Sequence, residues 1–261
     1  RMPRTLILEP TRELAAQVAE NFSVYGKYNK LSMALIVGGV SFAEQNQKID
    51  RGVDVLIATP GRLLDHFERG KLVMSAVEIL VIDEADRMLD MGFIPDIERI
   101  VKLLPPARQT LLFSATLFPE VRALAESFLR DPKEISVAPP ASPVDSVDQG
   151  LIVVPEREKE RALVALLRGR EVTNALIFCN RKRDVDAVRQ ALGRKGFDVG
   201  ALHGDMDQPV RTETLERFKK GEIRILVASD VAARGLDIAA LPCVVNYDVP
   251  AHAEDYVHRI G

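Results

Sequence analysis

Hydrophobic residues fall along this chain in short unbroken runs rather than in alternation. In the first half the runs are Thr5 to Leu8, Met33 to Val37, Asp54 to Ala58, Ile79 to Ile82 and Thr110 to Phe113. In the second they are Gly150 to Val154, Ala175 to Phe178, Val199 to Leu202, Ile223 to Val227 and Val244 to Tyr247. A short apolar run bounded by turn residues reads as a strand buried on both faces, and so as part of a parallel sheet. Helical patterns lie between the runs. Leu14, Val18 and Phe22 share one face behind Thr11, which is placed to cap, and Leu63, Leu64 and Phe67 form another face. Further helices are expected from Pro119 to about Leu129, from Glu158 to Leu167 and after Lys182. Strand, polar turn, helix is the repeating unit of an α/β fold, and its polar turns gather at the carboxyl edge of the sheet.

The least regular stretch is Ala138-Pro139-Pro140-Ala141-Ser142-Pro143-Val144-Asp145-Ser146. Prolines among small and polar residues make a semi-extended linker. We therefore expect a first domain over 1–137, a linker over 138–147 and a second domain over 148–261. A length of 261 residues accommodates two cores of ordinary size.

Composition narrows the function. Hydrophobic content of 47% with 28% charged residues describes a globular protein. The net charge of −3 excludes a surface that is basic all over, so a nucleic acid would have to bind in a local groove. Cys179 and Cys243 lie in apolar runs without metal spacing, as expected of reduced core residues in a cytoplasmic protein. No apolar run reaches the length of a membrane span, and no signal peptide opens the chain. Arg1-Met2-Pro3-Arg4 leads almost at once into a buried strand, the abruptness expected of a chain cut from something longer. Aromatic residues make up only 5% and tryptophan is absent, which argues against a base-stacking platform; Phe178 reads as a packing residue.

The chemistry centres on Ile79-Leu80-Val81-Ile82-Asp83-Glu84-Ala85-Asp86, where a buried strand runs into three carboxylates. An Asp-Glu pair at a strand's carboxyl end suits nucleotide hydrolysis, one carboxylate for Mg²⁺ and one for the attacking water. Acidic residues in the first turn of an ordinary helix would read the same way. Taken alone, Gly38-Gly39 and Pro60-Gly61 are turn punctuation, and Ser114-Ala115-Thr116 is a capping turn.

Together they are more. Pro10-Thr11-Arg12-Glu13-Leu14-Ala15, Gly38-Gly39, Thr59-Pro60-Gly61-Arg62, Asp83-Glu84-Ala85-Asp86 and Ser114-Ala115-Thr116 follow one another in the first half. His203-Gly204, Gln208 with Arg211, the run from Ser229 to Asp237 and His258-Arg259-Ile260-Gly261 continue the series. In order and spacing the chain resembles the DEAD-box RNA helicases over nearly its whole length. The resemblance implies two RecA-like domains, each a mainly parallel sheet flanked by helices, and ATP and Mg²⁺ as cofactors. It implies that Asp83 holds Mg²⁺ through water, that Glu84 activates the hydrolytic water and that Asp86 bonds to Ser114 and Thr116. His258 would bridge toward Asp86 on domain closure, and Asp237, with Arg234 and Gly235, would contact the ribose.

By the same resemblance, Pro10, Thr11, Arg12, Gly39, Thr59, Gly61 and Arg62 face an RNA backbone. Arg181, Gly204, Gln208, Arg211 and Ser229 continue the track in the second domain. Backbone amides at helix starts and small hydroxyls suit phosphate oxygens, so binding is expected to ignore base sequence. The implied activity is ATP-driven local unwinding of RNA by a monomer with no membrane contact. Two features depart from the family pattern. The loop G-x-x-x-x-G-K-[ST] is absent, and no arginines follow Gly261. The sequence thus resembles a helicase core trimmed at both ends. A non-hydrolysing RNA clamp or scaffold is the competing expectation. A Rossmann-type metabolic enzyme would need G-x-G-x-x-G, and no two glycines here are separated by one residue.

Overall fold

The computed structural model describes residues 2–137, 147–169, 172–233, 241–250 and 253–260. The chain divides into two compact units, Arg1–Pro140 and Ala141–Gly261. Of the expected linker over 138–147, residues 138–146 lie outside the described residues.

In the first unit the strands are β1 (Thr5–Leu8), β2 (Met33–Ile36), β3 (Val55–Ala58), β4 (Ile79–Ile82) and β5 (Gln109–Leu112). All pair in parallel, in the order β2-β3-β1-β4-β5. The helices are α1 (Arg12–Tyr25), α2 (Phe42–Asp50), α3 (Pro60–Glu68), α4 (Ala85–Asp90), α5 (Ile94–Leu103) and α6 (Pro119–Phe128). Successive strand residues point to opposite faces, so β1 feeds two cores. Leu6 and Leu8 pack with Leu63, Ile97 and Ile100, whereas Ile7 packs with Ala15 and Ala19 of α1. Burial on both faces explains the unbroken apolar runs of β1 and β3, whereas β2 and β4 are fully buried on one face and half-buried on the other.

The second unit holds β6 (Ala175–Cys179), β7 (Val199–Leu202), β8 (Ile225–Ser229) and β9 (Val244–Asn246), parallel in the order β7-β8-β6-β9. Its helices are α7 (Lys159–Gly169), α8 (Lys182–Arg194), α9 (Gln208–Lys219), α10 (Asp230–Ala233) and α11 (Ala253–Ile260).

One expectation fails. Gly150 to Val154 forms no strand, and Leu151 and Val153 are 82% and 86% exposed. Strand propensity expresses packing against neighbours, and this segment has no ladder to join. Several helices escaped the pattern reading. The clearest is α9, which buries only Arg211 and Phe218 and so carries almost no apolar stripe.

Candidate nucleotide and RNA site

In register, Ile36 lies opposite Ala58, Ala58 opposite Leu8, Leu8 opposite Ile82 and Ile82 opposite Leu112. The segments after these residues therefore leave the sheet side by side. Glu9 to Thr11, Val37 to Gly39, Thr59 to Gly61, Asp83-Glu84 and Ser114 to Thr116 share one edge. Its chemistry is split: the β4 and β5 side is acidic, the β2 and β3 side cationic.

On the acidic side Glu84 adopts φ 45° and ψ 56°, a left-handed conformation that few non-glycine residues hold without support. The support is visible. Asp83 Oδ1 accepts the Glu84 N–H at 2.9 Å, and Arg87 Nη1 donates to Glu84 Oε2 at 2.8 Å. Asp86 ties this turn to the next strand: its Oδ2 accepts the Thr116 N–H at 3.0 Å and the Thr116 hydroxyl at 2.8 Å. Ser114 is reached differently, its Oγ accepting the Asp86 N–H at 3.3 Å and donating to Thr116 O at 2.6 Å. Burial, then the charges of Glu84 and Asp86, push the Asp83 carboxyl above its ordinary range against the Glu84 N–H. Glu9 is wholly buried, and burial with the nearby Asp83 and Glu84 pushes its carboxyl up to about 9.

On the cationic side Thr11 Oγ1 caps α1 by accepting the Leu14 N–H at 3.3 Å. Arg12 lies against Gly38 so closely that a Cβ there would come 3.2 Å from Arg12 Nη2, and the guanidinium would have to shift by a few tenths of an ångström to admit one. Gly39 takes φ +73°. Buried Gln45 donates to Val37 O at 2.7 Å, which turns its Oε1 toward His66 Nε2 at 2.8 Å. His66 therefore carries its proton on Nε2, and burial holds the ring neutral by lowering its pKa. Phe42 has the guanidinium carbons of Arg62 and Arg69 each 3.9 Å from its ring centroid. One ring face accommodates only one such group, so the two arginines sandwich the ring. Burial, opposed by Asp65, lowers the Arg62 pKa, with Arg12 and Arg69 adding to it.

The second unit has its own edge, with Cys179 in register with Ser229, Leu202 with Ala228 and Phe178 with Asn246. Arg181 occupies the N-cap position of α8 with its side chain exposed and making no cap hydrogen bond, Gln208 opens α9, and Arg211 and Ser229 are buried. Gly204 lies beside Lys182, which is paired with Asp205. The centre of this edge is Arg259, whose side chain is wholly buried. Its Nε and Nη2 donate to the two oxygens of Asp230 at 2.6 and 2.7 Å. Nη1 donates to Asn246 Oδ1 at 2.8 Å and Asp248 O at 2.7 Å, and Nη2 to Asn180 Oδ1 at 2.8 Å. All five guanidinium donors are used. The group also lies 5.0 Å from the ring of Phe178, which is a buried packing residue.

Two sheet edges carrying these loops match known proteins. The model of the DEAD/DEAH box helicases matches residues 1–124, and that of the helicase conserved C-terminal domain matches residues 158–261. A DEAD box protein from the hyperthermophile Methanococcus jannaschii is 38% identical, with a TM-score of 0.51, covering all of this chain and 70% of that one. This chain belongs to the DEAD-box helicase family. Dbp5 of S. cerevisiae, in a structure bound to RNA and ADP BeF3, is 30% identical with a TM-score of 0.89, over 99% of this chain and 67% of that one. The ATP-dependent RNA helicase RhlB of Xanthomonas axonopodis pv. citri is 46% identical over 262 residues, 99% of this chain and 46% of that protein. The chain thus spans about half the length of the curated relatives it matches.

Within this DEAD-box chain, Asp83, Glu84, Asp86, Ser114 and Thr116 come together at one edge, as do Pro10, Thr11, Arg12, Gly39, Thr59, Gly61 and Arg62. Gly39 and Gly61 are exposed, Pro10 and Thr11 are buried, and only 12% of the Arg62 side chain is open. The second unit gathers Arg181, Gly204, Gln208, Arg211 and Ser229 near its own edge, and His258 is exposed on α11. Arg234, Gly235 and Asp237 lie outside the described residues. Sequence reasoning passed over Glu9, Phe42, Gln45, Asp230 and Arg259. Of these, Asp230 and Arg259 stood inside recognised motifs and offered a signal; the others offered none.

Proposed function

We propose that the natural protein carrying this chain couples ATP binding and hydrolysis to local separation of RNA duplexes, gripping the sugar-phosphate backbone without regard to base. The observation that carries this reading is the divided edge of the first unit. Asp83 and Glu84 stand on one side, the arginines and helix starts stand on the other, and the Asp86–Thr116 link sits beside the acidic pair.

The residues present fit a divalent cation held through water. Asp83 is a hard oxygen donor with one oxygen engaged by a backbone N–H, in a setting where accumulated negative charge raises its pKa. Mg²⁺ bound there would neutralise charge on the phosphates. Glu84, held at its angle by Arg87 and the strained turn, orients a water and takes up its proton. Asp86 carries the state of that turn to the Ser114–Thr116 loop. Arg12, Arg62, Arg69 and the starts of α1 and α3 provide a phosphate track, and Arg181, Gln208, Arg211 and Ser229 extend it on the second unit. Asp237, with Arg234 and Gly235, would meet the ribose, and His258 would bridge to Asp86.

The same reading has domains 1–137 and 148–261 closing about a linker at 138–147, in a cytoplasmic monomer. Among the described residues no helix is long and apolar enough to cross a membrane. The deciding measurement is ATP hydrolysis with and without RNA. Glu84→Gln is expected to abolish turnover while RNA binding remains ATP-dependent. Normal RNA-stimulated turnover by that variant would refute the assignment, and RNA binding without any hydrolysis by the natural protein would favour a clamp.

A further inference from the structure

Glu9 stands beside the proposed cation and water residues without being one of them. It follows Leu8 on β1, and Asp83 follows Ile82 on the hydrogen-bonded neighbour β4, with the Asp83 N–H donating to Leu8 O at 3.1 Å. Since Leu8 and Ile82 are register partners, Glu9 and Asp83 occupy matching positions, and strand alternation sends their side chains to the same face. Glu9 is 0% exposed, and neither of its carboxyl oxygens has a hydrogen-bond partner among the described residues. A buried carboxyl without a partner gives up its hydration and gains nothing in return. Native folds leave such groups where a water or an ion completes them. Beyond its burial, the charges that act on Glu9 are those of Asp83 and Glu84, as its position beside Asp83 at the sheet edge requires. Arg87, the cation of this turn, is bound to Glu84.

We propose that Glu9 is a third acidic residue of the nucleotide site, binding a water of the divalent cation's shell beside Asp83. This rests on the reading of Asp83 and Glu84 as the cation and water residues. It fits the way small divalent ions are held, since they keep several of their waters and meet proteins through one or two carboxylates. Among the described residues no three His, Cys, Asp or Glu side chains are grouped to hold an ion directly. In this proposal Glu9 meets one of the waters that such an ion keeps. Groups placed behind such a water orient the inner ligands and set metal affinity.

The test uses the natural protein with Mn²⁺ in place of Mg²⁺, measuring free Mn²⁺ by electron paramagnetic resonance in the presence of ADP. Asp83→Asn, Glu9→Gln and Glu9→Ala are compared with the unaltered protein, and circular dichroism checks that each is folded. Glu9→Gln keeps the shape of the side chain and removes a buried acid, so its fold is expected to survive. Both Glu9 variants should weaken nucleotide-dependent Mn²⁺ binding by about tenfold, and added ADP and Mn²⁺ should raise their Tm less than that of the unaltered protein. Wild-type Mn²⁺ affinity in both Glu9 variants, with loss in Asp83→Asn, would overturn the proposal and leave the site assignment standing. Wild-type affinity in all three would overturn both.

Discussion

Arg259 and Asp230 meet through two parallel hydrogen bonds, Nε to Oδ1 at 2.6 Å and Nη2 to Oδ2 at 2.7 Å, with the arginine wholly buried. The fork geometry matches a planar guanidinium to a carboxylate, and the remaining donors reach Asn180, Asn246 and the Asp248 carbonyl. One side chain thereby ties the ends of β6, β8 and β9 to α11. These strand ends carry Ser229 and lead to Arg181, both on the proposed RNA track.

Removing this hub is predicted to destabilise the second unit more than any surface change. Arg259→Ala removes a wholly buried guanidinium from five acceptors and takes the fork away from the Asp230 carboxylate, itself 21% exposed, an effect of about 3–5 kcal/mol. Arg259→Lys should recover little, because an ammonium cannot satisfy five acceptors placed for a planar fork. Urea unfolding of the whole chain, followed by circular dichroism, checks this. A loss below about 1 kcal/mol, the range of an exposed pair, would mean the network contributes little.

Glu9 makes the stability of the first unit depend on pH. Its carboxyl stands at about 9 in the folded chain, against an ordinary 4.5. Between those values the folded state holds a proton that the unfolded state has released. Stability therefore falls as pH rises from about 4.5 toward 9. Glu9→Gln has no proton to lose and should flatten that slope. Measured with a chelator present, the variant is expected to melt higher than the unaltered chain at pH 8 and close to it at pH 5. An equal gap at the two pH values would show that Glu9 is ionised in the fold.

Phe42 is predicted to matter for RNA although it is not itself a phosphate ligand. Its ring holds Arg62 and Arg69 on its two faces, and a cation–ring contact contributes about 0.5–1 kcal/mol where exposed and about 2 kcal/mol where desolvated, as for the largely buried Arg62. Phe42→Ala frees both arginines and should weaken RNA binding several-fold for every base sequence alike. Arg69→Ala should do the same and lower the salt slope by about 1. Fluorescence anisotropy over a salt series on two unrelated RNAs measures both effects. An effect confined to one RNA would contradict a backbone grip.

What could be read in the sequence follows from what each residue depends on. Thr5 to Leu8 and Ile79 to Ile82 were legible because each is an unbroken apolar run, buried on both faces in β1 and half-buried on one face in β4. Asp83 and Glu84 were legible because they directly follow such a run. Gly150 to Val154 misled, since its β-branched residues carry the composition of a strand but no neighbouring ladder. Arg259 stood inside a recognised motif, yet its weight lies in Asn180, Asp230, Asn246 and Asp248, which only folding brings to it. Glu9 left no trace because an acid between Leu8 and Pro10 looks like the polar end of a strand. Its meaning depends on β1 lying beside β4, which the strand order alone reveals.

The link from Asp86 to Thr116 makes the most specific functional prediction. Asp86 Oδ2 accepts two hydrogen bonds from Thr116, one from the backbone N–H and one from the hydroxyl. Thr116→Val removes the hydroxyl, keeps the shape and leaves the backbone bond. A hydrogen bond to a charged group contributes about 1.5–3 kcal/mol, so the loop is loosened and the fold survives. Coupling between two ligands is a free energy, and it shrinks when the element joining their sites is less firmly held. In Thr116→Val of the natural protein, RNA affinity without nucleotide and nucleotide affinity without RNA should stay within about twofold of the unaltered values, since each site keeps its own contacts. The gain in RNA affinity on adding a non-hydrolysable ATP analogue should fall by about tenfold, the counterpart of 1.4 kcal/mol. Equilibrium binding in the four combinations of ligand gives the coupling directly. An unchanged coupling, with the hydroxyl gone, would show that the two sites communicate through some path other than Asp86 and Thr116.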